Sequence, residues 1–165
     1  MRRTLTAFFL AAAVGTVLTA PGPAASPKAK SPFLGKWALD VKSMPVTYGA
    51  PPKSVTYEFV DLGKGRWETR IHIVDDGGVR DMAVGYRRDG QANAGSGYAG
   101  EGDFAAVNSP APNVLVMSLA RDKQLESVRT YAISANGREM TESAADVDDA
   151  GVPFVRNFHY RKIGT

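Results

Sequence analysis

The chain contains no cysteine, and this absence excludes several classes of protein at once. Without thiols there is no disulfide framework, no thiolate zinc or iron–sulfur site and no cysteine nucleophile. A lipid anchor on an N-terminal cysteine is excluded for the same reason, so we expect a soluble, unlipidated protein. A domain of this length buries enough apolar surface to fold without disulfides, which smaller secreted folds often need.

Histidine is scarce as well, with only two in 165 residues. His72 and His159 fall on predicted outward faces, so we predict no metal site. Gly95–Gly100 matches the G-x-G-x-x-G pattern of dinucleotide-binding loops but opens no helix, and we interpret it as a flexible loop. Asp146–Gly151 has too few ligands for a calcium loop and is interpreted as an acidic hairpin tip. Because no serine–histidine–acid pattern is present either, we predict no catalytic residue and no cofactor.

Long hydrophobic runs are confined to the N-terminus. Arg2 and Arg3 precede an apolar run, Leu5–Leu18, and small residues and prolines follow it. This pattern is typical of a cleavable export signal, and the run is shorter than the about 20 residues that a membrane-spanning helix needs. We therefore predict a signal peptide over residues 1–25 and a periplasmic or secreted protein with no transmembrane segment in its mature chain.

The chain also lacks a strong charge of either sign. Its formal net charge of +3 falls to about +1 once the signal peptide, with its two arginines and no acid, is removed. Nucleic acid is therefore excluded as the expected partner. We predict a disordered linker over residues 26–31 and a single domain over residues 32–165.

The remainder of the chain alternates apolar and polar residues with period two, which is typical of half-buried strands. In the clearest run, Trp67 and Ile71 face one way while Arg70 and His72 face the other. Similar runs recur at short intervals, separated by turn sequences such as Asn136-Gly137. We predict an all-β protein, an antiparallel up-and-down β-barrel of about eight to ten strands, with a β-sandwich as the alternative.

Two segments interrupt this alternation. Ser43–Ser54 is rich in proline, and we predict that it forms a loop across one end of the barrel. Gln91–Asp103 is rich in glycine and alanine. We interpret it either as a long mobile connection or as a short fifth strand between two loops.

The Gly35-Lys36-Trp37 motif and the meander after it resemble the calycins, the group of lipocalins and fatty-acid-binding proteins. The resemblance is closer to small, exported, lipocalin-like bacterial proteins of unassigned function. It is carried by short segments throughout the mature chain, namely Gly35–Asp40, Lys42-Ser43, Pro51–Ser54, Arg129, Ser134–Thr141 and Asp149–Pro153. The resemblance implies a ligand-binding barrel whose floor is closed by Trp37, and it implies no catalytic motif.

Two arginines lie on predicted apolar faces. Arg129 shares its face with Leu125 and Tyr131, and Arg156 shares its face with Tyr160. An unpaired buried charge is costly, so each arginine needs a partner. One interpretation is that both converge on the anionic head of a ligand, which a guanidinium grips bidentately. The alternative is that they lie at the rim or form internal salt bridges with Glu142 or Asp81. We predict the ligand-binding residues to be Arg129, Arg156, Tyr160, Tyr131, Tyr86 and Trp67.

Three functions are compatible with these features. The leading hypothesis is a barrel that binds a small apolar or amphipathic molecule, and an anionic head group is one option for this ligand. It predicts an interior cavity of about 300 Å³ or more. The alternative is an envelope protein–protein interaction or inhibitor module with a packed interior and an exposed apolar patch near Met44, Val46 and Tyr48. The third is a cyclase or isomerase that works inside the barrel by shape and through a tyrosine or an arginine.

Overall fold

The computed structural model describes residues 30–97 and 102–164, which form ten antiparallel strands and two single-turn 3-10 helices. The strands are β1 (Gly35–Leu39), β2 (Ser54–Gly63), β3 (Arg66–Asp75), β4 (Gly78–Arg87), β5 (Asp89–Gly97), β6 (Phe104–Ala111), β7 (Val114–Arg121), β8 (Gln124–Ile133), β9 (Glu139–Val147) and β10 (Pro153–Gly164). The helices, Val41–Ser43 and Val46–Tyr48, lie between β1 and β2. In these described ranges no helix is long and apolar enough to cross a bilayer. The predicted signal peptide lies outside them.

The strands close into a single barrel in which each strand pairs with its neighbours in the chain. The closing pair is β1 with β10, where Leu39 lies opposite Tyr160. One face of nearly every strand is apolar, and closing the sheet buries these faces together and gives each described strand a neighbour on both sides. The predicted up-and-down barrel is confirmed, and the sandwich alternative is wrong.

One end of the barrel is filled by aromatic side chains around Trp37, which is fully buried. The indole Nε1 of Trp37 donates a hydrogen bond to the backbone carbonyl of Phe33 at 2.8 Å. Phe33 in turn packs edge-on against Phe59, with ring centroids 5.5 Å apart. Each such aromatic contributes about 1.5–3 kcal/mol through burial. This end forms the closed floor that the resemblance implies.

The opposite end is crossed by the segment between β1 and β2, as its proline-rich composition predicts. Tyr48 fixes this segment to β10. The Oη of Tyr48 accepts a hydrogen bond from the backbone N–H of Asn157 at 2.9 Å, and its ring lies edge-on to Phe158, with centroids 5.6 Å apart. Val46 points away from the barrel and is 92% exposed.

The glycine-rich segment after β4 contains a strand. β5 pairs with β4 between Met82 and Val84 and with β6 through Ala92, among other residues. Of the two interpretations of Gln91–Asp103, the fifth strand is therefore confirmed. It supplies the pairing that closes the sheet between β4 and β6.

No glycine marks the hairpin that joins β7 to β8. Its turn is formed by Asp122 and Lys123, whose φ angles are 50° and 66°. The pairing shifts register between Leu119 and Ala120. Leu125 lies at the hairpin end beyond this shift and is 66% exposed, so the predicted inward position of Leu125 is wrong.

Candidate functional site

A cavity of about 330 Å³ lies inside the barrel beneath the loop between β1 and β2. Leu39, Val55 and Ile73 contribute to its apolar wall. A smaller void of about 60 Å³ adjoins it, since Tyr57 and Arg129 line both. The larger cavity has the volume of about 300 Å³ or more that a binding barrel predicts.

A buried polar cluster forms part of the wall of the larger cavity. The antiparallel register places Glu142 on β9 between Tyr131 on β8 and Phe158 on β10. Arg129 Nη1 donates to Glu142 Oε1 at 2.8 Å, and Tyr160 Oη donates to Glu142 Oε2 at 2.7 Å. Glu142 is only 1% exposed, and its burial is tolerated because both oxygens are hydrogen-bonded and its charge is balanced. The internal salt bridge is therefore the correct interpretation of Arg129.

The tyrosines of this region are held in their neutral form. Burial, above all, raises the pKa of Tyr131 and of Tyr160 well above the ordinary value, and the negative charge of Glu142 adds to the rise in both. Tyr57 contributes as well, and its ring lies edge-on to Tyr160 with centroids 5.2 Å apart. Neutral phenols donate hydrogen bonds but do not remove protons at neutral pH. These buried phenols therefore act as hydrogen-bond donors, as Tyr160 does to Glu142.

Arg156 differs from Arg129 because no carboxylate in the described part of the chain pairs with it. Its side chain lines the same cavity. The guanidinium carbon lies 4.7 Å from the ring centroid of Phe154 and 5.4 Å from that of Tyr48. These cation–π contacts hold the guanidinium at the cavity wall without using its N–H donors.

The same cavity wall carries further charged groups. Arg80 forms an ion pair with Asp75. Asp146 accepts the backbone N–H of Val147 at 2.7 Å and has no cationic partner within residues 30–97 and 102–164. The wall holds three arginines and three acids, and two pairs neutralise each other. Arg156 and Asp146 are the charges that remain.

Trp67 and Tyr86 lie toward the filled end of the barrel and line neither cavity. The guanidinium of Arg88 lies 4.1 Å from the ring centroid of Trp67. Tyr86 Oη and Thr69 Oγ1 are hydrogen-bonded at 2.8 Å, and burial raises the pKa of Tyr86 to about 12. Of the predicted site residues, those that line the two cavities are Arg129, Arg156, Tyr160 and Tyr131.

Sequence reasoning missed Asp146 as a cavity residue and Tyr48 as the contact between the β1–β2 loop and β10. Asp146 follows Glu142 and Ala144 at every second position of β9, so the alternation that placed Arg129 inside also places Asp146 inside. Tyr48 belongs to an irregular loop, where no periodicity indicates the direction of a side chain. The direction of the Tyr48 side chain is shown by its contacts with β10 in the structure.

Both histidines are exposed, as the alternation predicts. His72 Nδ1 lies 2.7 Å from Asp81 Oδ1 on the outer surface. Asp81 is therefore not the internal partner of either arginine, and that alternative is wrong. Within the part of the chain that the structure describes, no three histidine, aspartate or glutamate side chains are grouped so that they could hold a metal ion.

No family model matches the chain, and no curated protein matches its sequence. Solved structures match its fold. A Schistosoma mansoni fatty-acid-binding protein in complex with arachidonic acid superposes with a TM-score of 0.55 and 12% identity over 81% of this chain and 97% of that chain. Echinococcus granulosus fatty-acid-binding protein 1 superposes with a TM-score of 0.54 and 12% identity over 81% of this chain and 99% of that chain. The wild-type fluorescent protein UnaG superposes with a TM-score of 0.54 and 14% identity over 79% of this chain and 97% of that chain. At these identities the likeness establishes the fold alone, an antiparallel up-and-down barrel of ten strands.

Proposed function

We propose that this chain is an exported barrel that binds a small amphipathic molecule through a carboxylate. The observation that carries the proposal is Arg156, a half-buried guanidinium in the cavity wall with no carboxylate partner among the described residues. Removing such a charge from water is costly unless an opposite charge meets it. A planar guanidinium binds a carboxylate through two parallel hydrogen bonds, which gives both affinity and orientation.

The apolar part of the ligand would lie along the inner faces of the strands. Leu39, Ile73 and Phe158 line the larger cavity, and Met117 and Leu119 line the adjoining void. A volume of about 330 Å³ is near the lower end of the range for ligand pockets, about 300–1,000 Å³. This favours a small ligand over a bulky one. The arachidonic acid held by the Schistosoma mansoni protein supports a carboxylate amphiphile as the class.

Export is the part of the proposal that rests on sequence alone. The basic start and the apolar run Leu5–Leu18 have the organisation of a signal peptide. The expected location is therefore the periplasm or the exterior of the cell, where a small carrier barrel would meet ligands released by or taken up into the cell.

The interaction-module alternative is favoured by one observation, the 92% exposure of Val46 on the loop between β1 and β2. That alternative predicts a packed interior, and the cavity argues against it. Its predicted apolar patch is also reduced, because Met44 and Tyr48 are half-buried and Met44 lines the cavity. The binding barrel is therefore the better-supported function.

The proposal is tested with octanoate and its neutral analogue octanol by titration calorimetry of the mature protein. We expect octanoate to bind more tightly, and Arg156→Gln to weaken octanoate at least about tenfold while leaving octanol unchanged, because only the anion uses the guanidinium. Native mass spectrometry of protein taken from its own compartment would then identify the natural ligand.

The matched control is Arg161→Gln. Arg161 lies on the same strand as Arg156 but faces outward, where it approaches Asp40 at 3.6 Å. We expect this variant to bind both probes as the wild type does. Equal losses in the two variants, or no uptake of either probe by the wild type, would overturn the proposal.

A further inference from the structure

The wall of the larger cavity carries one cation and one anion in addition to its two ion pairs. Arg80 pairs with Asp75, and Arg129 pairs with Glu142. Arg156 and Asp146 are left without an ion-pair partner among the residues the structure describes. Both line the same cavity.

These two side chains are close but do not neutralise each other. Asp146 on β9 lies directly opposite Phe154 on β10, and Arg156 is two residues further along β10. Diagonal neighbours across a pair of strands lie about 7–8 Å apart. The guanidinium of Arg156 lies over the rings of Phe154 and Tyr48, and no ion pair joins it to Asp146 in the described part of the chain. A charged group of a ligand in the cavity that both residues line can therefore contact each of them.

Resting on the proposed function, we infer that the ligand is a zwitterion with its ammonium and carboxylate attached to the same carbon, such as an apolar α-amino acid. Its carboxylate binds Arg156 and its ammonium binds Asp146. Its side chain extends along the apolar wall toward Leu39 and Ile73. A simple fatty acid would neutralise only Arg156 and would leave the carboxylate of Asp146 without a counter-charge, which is unfavourable in a partly dehydrated site.

The test compares four eight-carbon probes on the mature wild-type protein by calorimetry: octanoate, octylamine, 2-aminooctanoate and 8-aminooctanoate. We expect 2-aminooctanoate to bind at least about tenfold more tightly than octanoate, since it gains a second charge-assisted contact. The 8-aminooctanoate probe carries the same two charges at opposite ends. Its ammonium would face the apolar wall, so we expect it to bind no more tightly than octanoate.

The matched variants are Asp146→Asn and Asp149→Asn. Asp149 lies at the exposed tip of the hairpin between β9 and β10. We expect Asp146→Asn to bring the affinity for 2-aminooctanoate down to that for octanoate, and Asp149→Asn to preserve the difference. Urea unfolding of both variants establishes that they are folded.

The outcomes separate this inference from the proposed function. If the wild type binds octanoate through Arg156 but gains nothing from the added ammonium, the carboxylate-binding function stands and the zwitterion inference is wrong. The inference is equally overturned if Asp146→Asn leaves the preference unchanged. If no probe binds, both proposals fail.

Discussion

Tyr160 donates a hydrogen bond to Glu142 inside the barrel, with Oη and Oε2 2.7 Å apart. Both residues are almost completely buried. Hydrogen bonds to charged groups contribute more to stability than those between neutral groups, about 1.5–3 against about 1 kcal/mol. Removing the Tyr160 hydroxyl therefore measures how much this hydrogen bond to Glu142 contributes to the free energy of unfolding.

The first prediction compares two tyrosine-to-phenylalanine variants. Tyr160→Phe should lower the free energy of unfolding by about 2 kcal/mol, because a buried carboxylate loses a donor. Tyr86→Phe, which removes only the neutral hydrogen bond with Thr69, should cost about 1 kcal/mol. Urea denaturation measures both. An equal loss in the two variants would show that Glu142 does not depend on the Tyr160 hydroxyl.

The second prediction concerns the internal salt bridge. Glu142→Gln should destabilise the protein by about 3 kcal/mol, since it leaves the mostly buried charge of Arg129 uncompensated. Replacing both partners, as Arg129→Met with Glu142→Leu, should recover much of that loss because no buried charge remains. A double-mutant cycle in urea, completed by the single variants Arg129→Met and Glu142→Leu, measures the coupling. The control Glu68→Gln, in an outward-facing pair with Arg70, should leave the unfolding midpoint nearly unchanged; a comparable loss there would contradict the prediction.

The third prediction is a loss of stability in alkali. Burial raises the pKa of Tyr86 from 10.0 to about 12 and raises those of Tyr131 and Tyr160 well above 10.0. A raised pKa of an acidic group means that the folded state holds its proton more tightly than the unfolded state. The stabilisation is therefore fully present below pH 10 and is lost as the pH rises through the folded pKa, by about 3 kcal/mol for Tyr86 alone.

This alkaline loss can be followed by tyrosinate absorbance together with circular dichroism. We expect the buried tyrosines to ionise only as the barrel unfolds. In Tyr86→Phe the decline in stability between pH 10 and pH 12 should be shallower. Ionisation of all tyrosines near pH 10 in the folded protein would contradict the prediction.

The fourth prediction concerns the turn between β7 and β8. Lys123 has a φ of 66°, a conformation that costs a residue with a side chain roughly 1 kcal/mol more than glycine. Lys123→Gly should therefore raise the free energy of unfolding by about 0.5–1 kcal/mol. Lys42→Gly, at an exposed position without a positive φ, should lower it instead because glycine gains more freedom in the unfolded chain. Thermal unfolding of both variants measures the difference in sign.

The barrel could be predicted from the sequence because the alternation of apolar and polar residues within each strand is a local pattern. Period-two alternation identified the faces of most strands, and it placed Arg129 and Arg156 on the inner surface without any knowledge of the pairing. The wrong inward position of Leu125 has a local cause as well. The turn at Asp122 and Lys123 contains no glycine, and the register shift beside it turns Leu125 outward.

The candidate site could be predicted only in part from the sequence. Alternation indicates which side chains face inward, but the register between strands decides which charged side chains lie close enough to pair. The sequence gives Arg129 and Arg156 the same environment, an apolar inner face. The pairing of β8 with β9 brings Glu142 within 2.8 Å of Arg129, whereas no carboxylate among residues 30–97 and 102–164 pairs with Arg156. The difference between a paired and an unpaired arginine in the described part of the chain therefore lies in the three-dimensional arrangement.

The pairing of β1 with β10 has a consequence for how the chain folds. Every other pair joins strands that follow one another in sequence, whereas Leu39 must find Tyr160 across most of the domain. Such a long-range contact raises the contact order and slows folding, so hairpins can form early but closure must wait for both terminal strands. A chain whose C-terminal strand becomes available last would thus hold an open sheet with exposed strand edges until β10 pairs with β1. That interval is when the protein is most prone to aggregation.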